Sequence, residues 1–527
     1  MVKRQAGPAI LVRAPDWLKN KSKLVIFNQL SYTLSDDRGP LGKDFTVLTR
    51  WAPLLALPIT LGCAAQAGAT TLSASNILSQ FNAVVFGNFT TTSDVEGLTV
   101  VGGNLTGGAS FDINPASVSA SAFAGLTVYG NETAGGSFNV NNGGGIAIGG
   151  SNVGSFSLNG GGSAYVGATN AGSINAGGSI TVGGANSGTL TTGSSGSVFV
   201  GGSNSANISV TSGAGSVSVL GSNNATVSVA NGGSVFTGAN SGTVSINSGS
   251  GAVTVNGGNT GQLTLNGGGT ATINGNTGNV NLNGGSLTYT GSRTGNLNLN
   301  GGATARQVSS VGITPPSAPA SPLGSFATTF QAPMTALSTQ LNGVAANSTV
   351  AVSGNSITFA AAPNSSGVAV FDVNTSLFAN NSTVTIALDG ATSVIINVNV
   401  DSCISSTCAY SFASSVNFQN PTSYADAVVW NFVNATGLTF SGEFGGTVLA
   451  PLAAVANNAP IDGTLVANSY SGNGELHSHP YDGTLPGGST QFFTSGSVAA
   501  PEPASLAVLG VGVAGLAAVR RARSRRR

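Results

Sequence analysis

Between Gly135 and Gly302 short apolar pairs recur on two interleaved ladders. One set begins at Phe138, Phe156, Ile174, Leu190, Ile208, Val227, Val244, Leu263, Val280 and Leu297, a spacing of 16 to 19 residues. The other begins at Ile146, Ala164, Ile180, Val198, Val217, Val235, Val253, Ala271 and Leu287, with nearly the same period. Each pair has the form apolar, polar, apolar, as in Leu263-Thr264-Leu265, so two side chains point one way and one the other. Links such as Asn159-Gly160-Gly161 and Asn256-Gly257-Gly258 supply the positive φ values of sharp corners. A three-residue strand cannot bury a face alone, but equivalent strands stacked about 4.8 Å apart share one thin core. The spacing therefore predicts a β-solenoid of nine or ten coils, roughly 45 Å long. An antiparallel array of Gly-turn hairpins fits the same half-repeat. A disordered linker does not, because it needs no phasing of apolar pairs.

The solvent-facing positions of the second ladder include Thr181, Thr254, Thr272 and Thr288, interrupted by Tyr165, Phe199 and Phe236. A flat threonine row could meet ice or a polysaccharide, although Thr and Ser are also ordinary solvent-facing strand residues. No Asp lies between Asp112 and Asp372, so the repeat lacks the turn carboxylates with which Gly-rich calcium-binding rolls hold their ion. Glu132 and Arg293 bracket the repeat with nothing charged between them. Glycosidases use paired carboxylates and lyases a base with a cation, so the repeat itself offers neither constellation. The sharpest chemical cluster is Glu475, His477 and His479, alternate residues that would share one strand face and could hold zinc or copper. Pro480 and the turn-rich context favour hydrogen bonding instead, and no cofactor is expected.

Charge is concentrated at the two ends. Nine of the 17 basic residues precede Trp51, and six form the C-terminal cluster Arg520, Arg521, Arg523, Arg525, Arg526 and Arg527. Between Gly68 and Ala500 only Arg293 and Arg306 stand against twelve acidic residues. Such a segment cannot neutralise a row of phosphates, which excludes nucleic acid as a partner. Arg50, the apolar stretch Trp51 to Gly62 and the small residues Ala65 and Ala67 read as a signal peptide and its cleavage site. Its depth in the chain fits either a start codon near Val47 or a long leading region. In the oxidising compartment this implies, Cys403 and Cys408 are expected to pair.

The other end carries Pro501-Glu502-Pro503, an apolar run from Ala504 to Val519, and the arginines. Sixteen helical residues reach about 24 Å, a minimal membrane span, and the arginines would stay cytoplasmic. In order and position these residues resemble the PEP-CTERM sorting signal. That resemblance implies processing by an exosortase, with transient inner-membrane anchorage before release to the cell surface.

The flanks of the repeat carry Phe81-Asn82-Ala83-Val84-Val85-Phe86-Gly87, Val101-Gly102-Gly103-Asn104-Leu105, Val429-Trp430-Asn431-Phe432 and Ile461-Asp462-Gly463-Thr464-Leu465. In this order they resemble the choice-of-anchor A domain, which implies a β-helical surface adhesive module with the long repeat as an expansion by extra coils. The expected organisation is a leader (1–67), an N-terminal part of this domain (73–134), the repeat (135–302) and a Pro-rich connector with a short helix (303–347). A β-rich C-terminal part (348–483), a linker (484–500) and the sorting signal (501–527) with its membrane helix (504–519) follow. Phe330, Met334, Leu337 and Leu341 have helical spacing. The fold class is thus mainly β, a Gly-rich solenoid with one short helix and the C-terminal span. The expected function is a non-enzymatic adhesin-like protein at the cell surface or in the extracellular matrix, associated with exopolysaccharide and biofilm. A specific carbohydrate or ice binder is the alternative, and a polysaccharide-degrading β-helix enzyme has the least support.

Overall fold

The computed structural model describes residues 72–115, 121–380 and 382–486. The apolar-polar-apolar triplets form parallel strands in register: Ala164–Val166 lies between Ile146–Ile148 and Ile180–Val182, and Ile174–Ala176 between Ser155–Leu158 and Leu190–Thr192. Parallel pairing at one coil's separation makes the repeat a solenoid and eliminates the hairpin array. We call the side carrying the first ladder of strands the first side, and that carrying the other the second side. Their inward Val, Ile and Leu side chains are buried and form one continuous core.

A third side closes each coil, and its inward residue is asparagine. Asn152, Asn170, Asn186, Asn204, Asn223, Asn240 and Asn259 are all buried and bridge one another in parallel. In Asn170, Nδ2 donates to Gly172 O at 2.8 Å and to Asn186 Oδ1 at 2.8 Å, and Asn152 Nδ2 donates to its Oδ1 at 2.7 Å. The same geometry repeats to Asn259, so buried amides satisfy one another coil after coil. The links into this row, Gly-Ser-Asn as at Gly202-Ser203-Asn204 and also Asn256-Gly257-Gly258, are therefore not positive-φ turns, contrary to the expectation for the latter. The expected positive φ is found at Asn159-Gly160-Gly161, with Gly160 at 83° and Gly161 at 101°. Glu132 occupies the row ahead of Asn152, its carboxylate accepting from Ala134, Gly135 and Val153 N–H groups.

The stack extends beyond the repeat, and its spatial order differs from chain order. Along the second side the strands run Val368–Asn374, Ser393–Asn399, Val428–Phe432, Thr447–Asn457, Leu465–Gly472, Phe81–Val85, Leu98–Val101, Leu126–Val128 and Ile146–Ile148. The repeat continues from there to Thr304–Gln307. The C-terminal coils thus stack on the opposite end of the N-terminal coils from the repeat. Leu465 pairs with Ala83, and Tyr481 N–H donates to Leu78 O at 3.1 Å, so both ends of the described chain meet midway along the solenoid.

Because the chain must return from the last repeat coil to the first C-terminal coil, it needs a crossover. Thr304–Gln307 is followed by the Pro-rich connector, then by a π-turn, Ala327–Gln331, and a helix, Ala332–Asn342. Pro333, near the start of that helix, lacks an N–H and crowds the carbonyl four residues back, which the wider turn before it relieves. Phe330, Met334, Leu337 and Leu341 are buried on the outer surface of the second side, against Val84, Val370, Ile395, Val429, Leu449 and Val466. Strands beneath the helix are covered on both faces, which is why Phe81–Val85 and Val428–Phe432 are apolar throughout or nearly so and buried at every position. The core of the C-terminal coils is aromatic: Trp430, Phe412, Phe418, Phe440 and Phe444 are in mutual contact, and Trp430 Nε1 donates to Gly445 O at 2.9 Å.

Candidate functional site

The second side of the repeat was expected to be open to solvent, and it is not. Phe199 and Phe236, outward on their strands, are only 5% and 8% exposed, whereas Thr181, Thr254, Thr272 and Thr288 are half-buried, as are most outward middle residues of the first side, so it is the two phenylalanines that mark a cover. The connector accounts for this. It leaves the last coil at Gln307, sets Leu323 against Gly149, and reaches Phe326, whose ring lies 5.2 Å from Tyr129 and 6.0 Å from Phe86. Ten strand steps separate Thr304–Gln307 from Leu126–Val128, about 48 Å at ordinary strand spacing. The 18 residues of 308–325 reach about 56 Å as a polyproline II helix, enough for that run. Ile313, Pro316 and Pro319, then Leu323 and Phe326, are half-buried while most of their neighbours are exposed, the three-residue period of that helix. Glycines follow five of the nine strands on this side of the repeat, at Gly149, Gly167, Gly183, Gly201 and Gly238, with Leu323 set on Gly149. A Cβ on Gly167 would stand 2.3 Å from Gly149 O and one on Gly183 2.2 Å from Gly167 O, so no side chain fits at those positions.

Among the described residues no segment straps the first side. Its outward middle positions are Asn139, Ser157, Asn175, Thr191, Ser209, Ser228, Ser245, Thr264, Asn281 and Asn298, in coil-to-coil register. A second outward column beside it includes Ser155, Thr189, Asn207, Thr226 and Asn279, all exposed. The two columns form an uncharged grid of hydroxyl and amide groups, with contacts between rows such as Asn298 Nδ2 to Asn281 Oδ1 at 2.6 Å. Flatness follows from strand register, and spacing from the backbone ladder. Such a grid can exchange hydrogen bonds with another regular array of hydroxyls.

Beyond the repeat, the first side continues through Ser110–Phe111 and Leu476–His477, where the titratable groups lie. His477 Nδ1 is 2.6 Å from Asp462 Oδ1, and Nε2 is 3.0 Å from Glu475 Oε2. Burial works to lower the His477 pKa, but the hydrogen bonds to Glu475 and Asp462 outweigh it and raise the value above 6.5. Burial and the neighbouring Asp462 raise that of Glu443. With both ring nitrogens against carboxylates, His477 clasps Asp462 and Glu475, and their hydrogen bonds favour its protonated form. The sequence offers Asp462 only as a possible carboxylate pair with Glu475, not as a partner of His477, since it lies one coil earlier and reaches His477 through parallel pairing. The strand ends at His477, so His479 does not join the group. Among the described residues no cluster of three or more His, Cys, Asp or Glu is arranged to hold a metal. Asp112, at the corner after Ser110–Phe111, is buried, which pushes its pKa up to about 6.

Cys403 and Cys408 are joined by a disulfide in a surface loop before Ala409–Phe412. Ala65, Ala67, Pro501, Glu502, Pro503 and the arginines from Arg520 to Arg527 lie outside the described residues. So does the 504–519 span, and among the described residues no helix is long and apolar enough to cross a membrane.

Fold and surface together define a class: a parallel β-solenoid with one strapped face and one polar face. A model of the ice-binding-like adhesive domain matches residues 74–175 and 223–478, and the chain belongs to that family. The unmatched segment, 176–222, lies wholly within the repeat, so the departure from the family pattern is narrower than the whole Gly-rich stretch. The PEP-CTERM protein-sorting motif matches residues 499–522. No curated protein matches. Among solved structures, the C-terminal domain of the Caldicellulosiruptor kristjanssonii tapirin aligns at 14% identity over 78% of this chain and 96% of that one, with a TM-score of 0.18.

Proposed function

We propose that the chain is an exported, non-enzymatic adhesin whose working surface is the open first side of the repeat, laid against a polyhydroxylated polymer such as a cell-surface exopolysaccharide. The observation that carries this reading is the charge-free grid of hydroxyl and amide groups in coil-to-coil register, with the column through Ser155, Thr189, Asn207, Thr226 and Asn279 exposed. Each contact is weak, and affinity comes from the number of rows engaged at once. The family's adhesive description and the sorting motif support the same reading. A structural role for Glu132, held by three backbone N–H groups in the buried row, supports the absence of catalysis there.

In this scheme Ala65 and Ala67 mark the leader cleavage, and an exosortase acts near Pro501-Glu502-Pro503. The 504–519 helix anchors the chain until then, with Arg520 to Arg527 held in the cytoplasm. Because the described chain ends beside the middle of the solenoid, the tail would tether it at the waist and leave the repeat free to project. Co-sedimentation of the full-length protein with exopolysaccharide from the producing cells tests the proposal. Saturable binding that free monosaccharide does not displace is expected, and no binding at any concentration would refute it.

A further inference from the structure

The two ends of the solenoid are finished differently. At the far end Asn347 and Ser348 run along the outermost strand, Val368–Asn374, each donating its N–H to Val370 O at 3.1 Å. Asn347 adds side-chain bonds to Val368 O at 3.0 Å and Val370 N–H at 2.7 Å. A hairpin, Thr349–Ser353 with Ser356–Ala360, then finishes the first side. The repeat end has no counterpart. Leu297–Asn300 and Thr304–Gln307 pair only with the coil behind them, every residue of the latter is exposed, and Leu299 is 36% exposed. An unpaired edge of this kind is a template for another strand.

The hairpin offers the matching edge. Its outer strand, Thr349–Ser353, pairs only with Ser356–Ala360, and Val352 is 54% exposed although it faces the core side with Ile357. Leu297 and Leu299 alternate with asparagines, as Val350 and Val352 alternate with Thr349, Ala351 and Ser353. Both strands lie on the first side, and the hairpin strand runs against the direction of its neighbours. Charge is complementary as well. Arg293 and Arg306, the only Lys or Arg residues among those described, are exposed at the repeat end, whereas Asp372, Asp389 and Asp401 are exposed on the last coils of the far end.

We propose that the repeat end of one copy docks on the hairpin end of a second copy of this chain, Leu297–Asn300 pairing antiparallel with Thr349–Ser353. Leu299 and Val352 leave water together, and the arginines meet the aspartates. Joining two repeat ends would instead oppose like charges. A head-to-tail contact uses two different surfaces, so each addition exposes a fresh end and copies add into an open filament.

Sedimentation of the full-length protein in mild detergent across a concentration series tests this, with thermal unfolding as the control for folding. The wild type is expected to form a ladder of species growing with concentration. Leu299→Asp and Val352→Asp, both at exposed positions, are each expected to remain monomeric with an unchanged melting temperature. Mixed in equal amounts, they should give a dimer and nothing larger, since each blocks the opposite end. A monomeric wild type, or a mixture that stays monomeric, overturns the proposal. So does association that survives Val352→Asp, because that result means either a repeat-end pair or contact through the tail.

Discussion

The first and second sides of the repeat are made of the same three-residue strands, yet one is bedded under a strap and the other lies open. The covered side carries Phe199, Phe236 and glycines after five of its nine strands from Ile146–Ile148 to Ser286–Tyr289, and the open side carries Ser, Thr and Asn in every row. Composition per strand therefore says little about exposure in a solenoid. What decides it is the route of the returning chain: the helix Ala332–Asn342 covers the second side of the C-terminal coils, and the connector covers the same side of the repeat.

The largest effect is expected where the covering is anchored. Phe330 is fully buried and its ring meets Phe81, Phe123, Tyr129 and Phe326. Phe330→Ala should cost about 3–5 kcal/mol, read by urea unfolding, and should expose Phe199 and Phe236 to solvent as the strap loosens. Next comes the buried row shared by both sides. Asn204→Ala removes the acceptor of Asn186 Nδ2 and the donor to Asn223 Oδ1 and Ala206 O, and should cost roughly 2–4 kcal/mol. Equal unfolding midpoints for this variant and the wild type would mean the amide ladder is incidental.

A smaller effect separates the sides by pH. Asp112, raised from 3.8 to about 6, favours the folded state fully only below pH 3.8, and that contribution disappears as pH climbs to about 6. His477, raised above 6.5, contributes stability that is complete below 6.5 and disappears as pH rises through its folded value. Melting temperature should therefore fall from pH 4 to 8 in two steps. Asp112→Asn should shrink the lower step, to which the raised Glu443 also contributes, and His477→Gln should abolish the upper. Both groups sit on the first side beyond the repeat, so substitutions under the strap should leave the pH profile unaltered.

Much of this was legible in the sequence, because a solenoid core is a local pattern copied coil by coil. The two strand ladders, the helix through Phe330, Met334, Leu337 and Leu341, and the stiff connector all rest on short-range periodicity. The asparagine row had the same period, from Asn152 to Asn259, but read as turn residues because Asn next to Gly or Ser suggests a corner. The covered face and the His477 clasp were hidden for another reason. They depend on where distant segments return, with Leu323 on Gly149 and Asp462 one coil from His477. The aromatic residues breaking the threonine row at Tyr165, Phe199 and Phe236 were the one available hint of a cover.

The open side is the adhesive surface in this account and the strapped side is scaffold, so paired variants of the full-length protein bear on it most directly. Ser209→Arg with Ser228→Arg alters the open grid, and Phe199→Ser with Phe236→Ser alters the covered face. Measured side by side for exopolysaccharide binding and melting temperature, the first pair should lose at least tenfold in affinity with stability unchanged within about 0.5 kcal/mol. The second pair should keep its affinity and melt lower. The reverse pattern, or binding unaffected by the arginines, would contradict the assignment of the open side as the surface of contact.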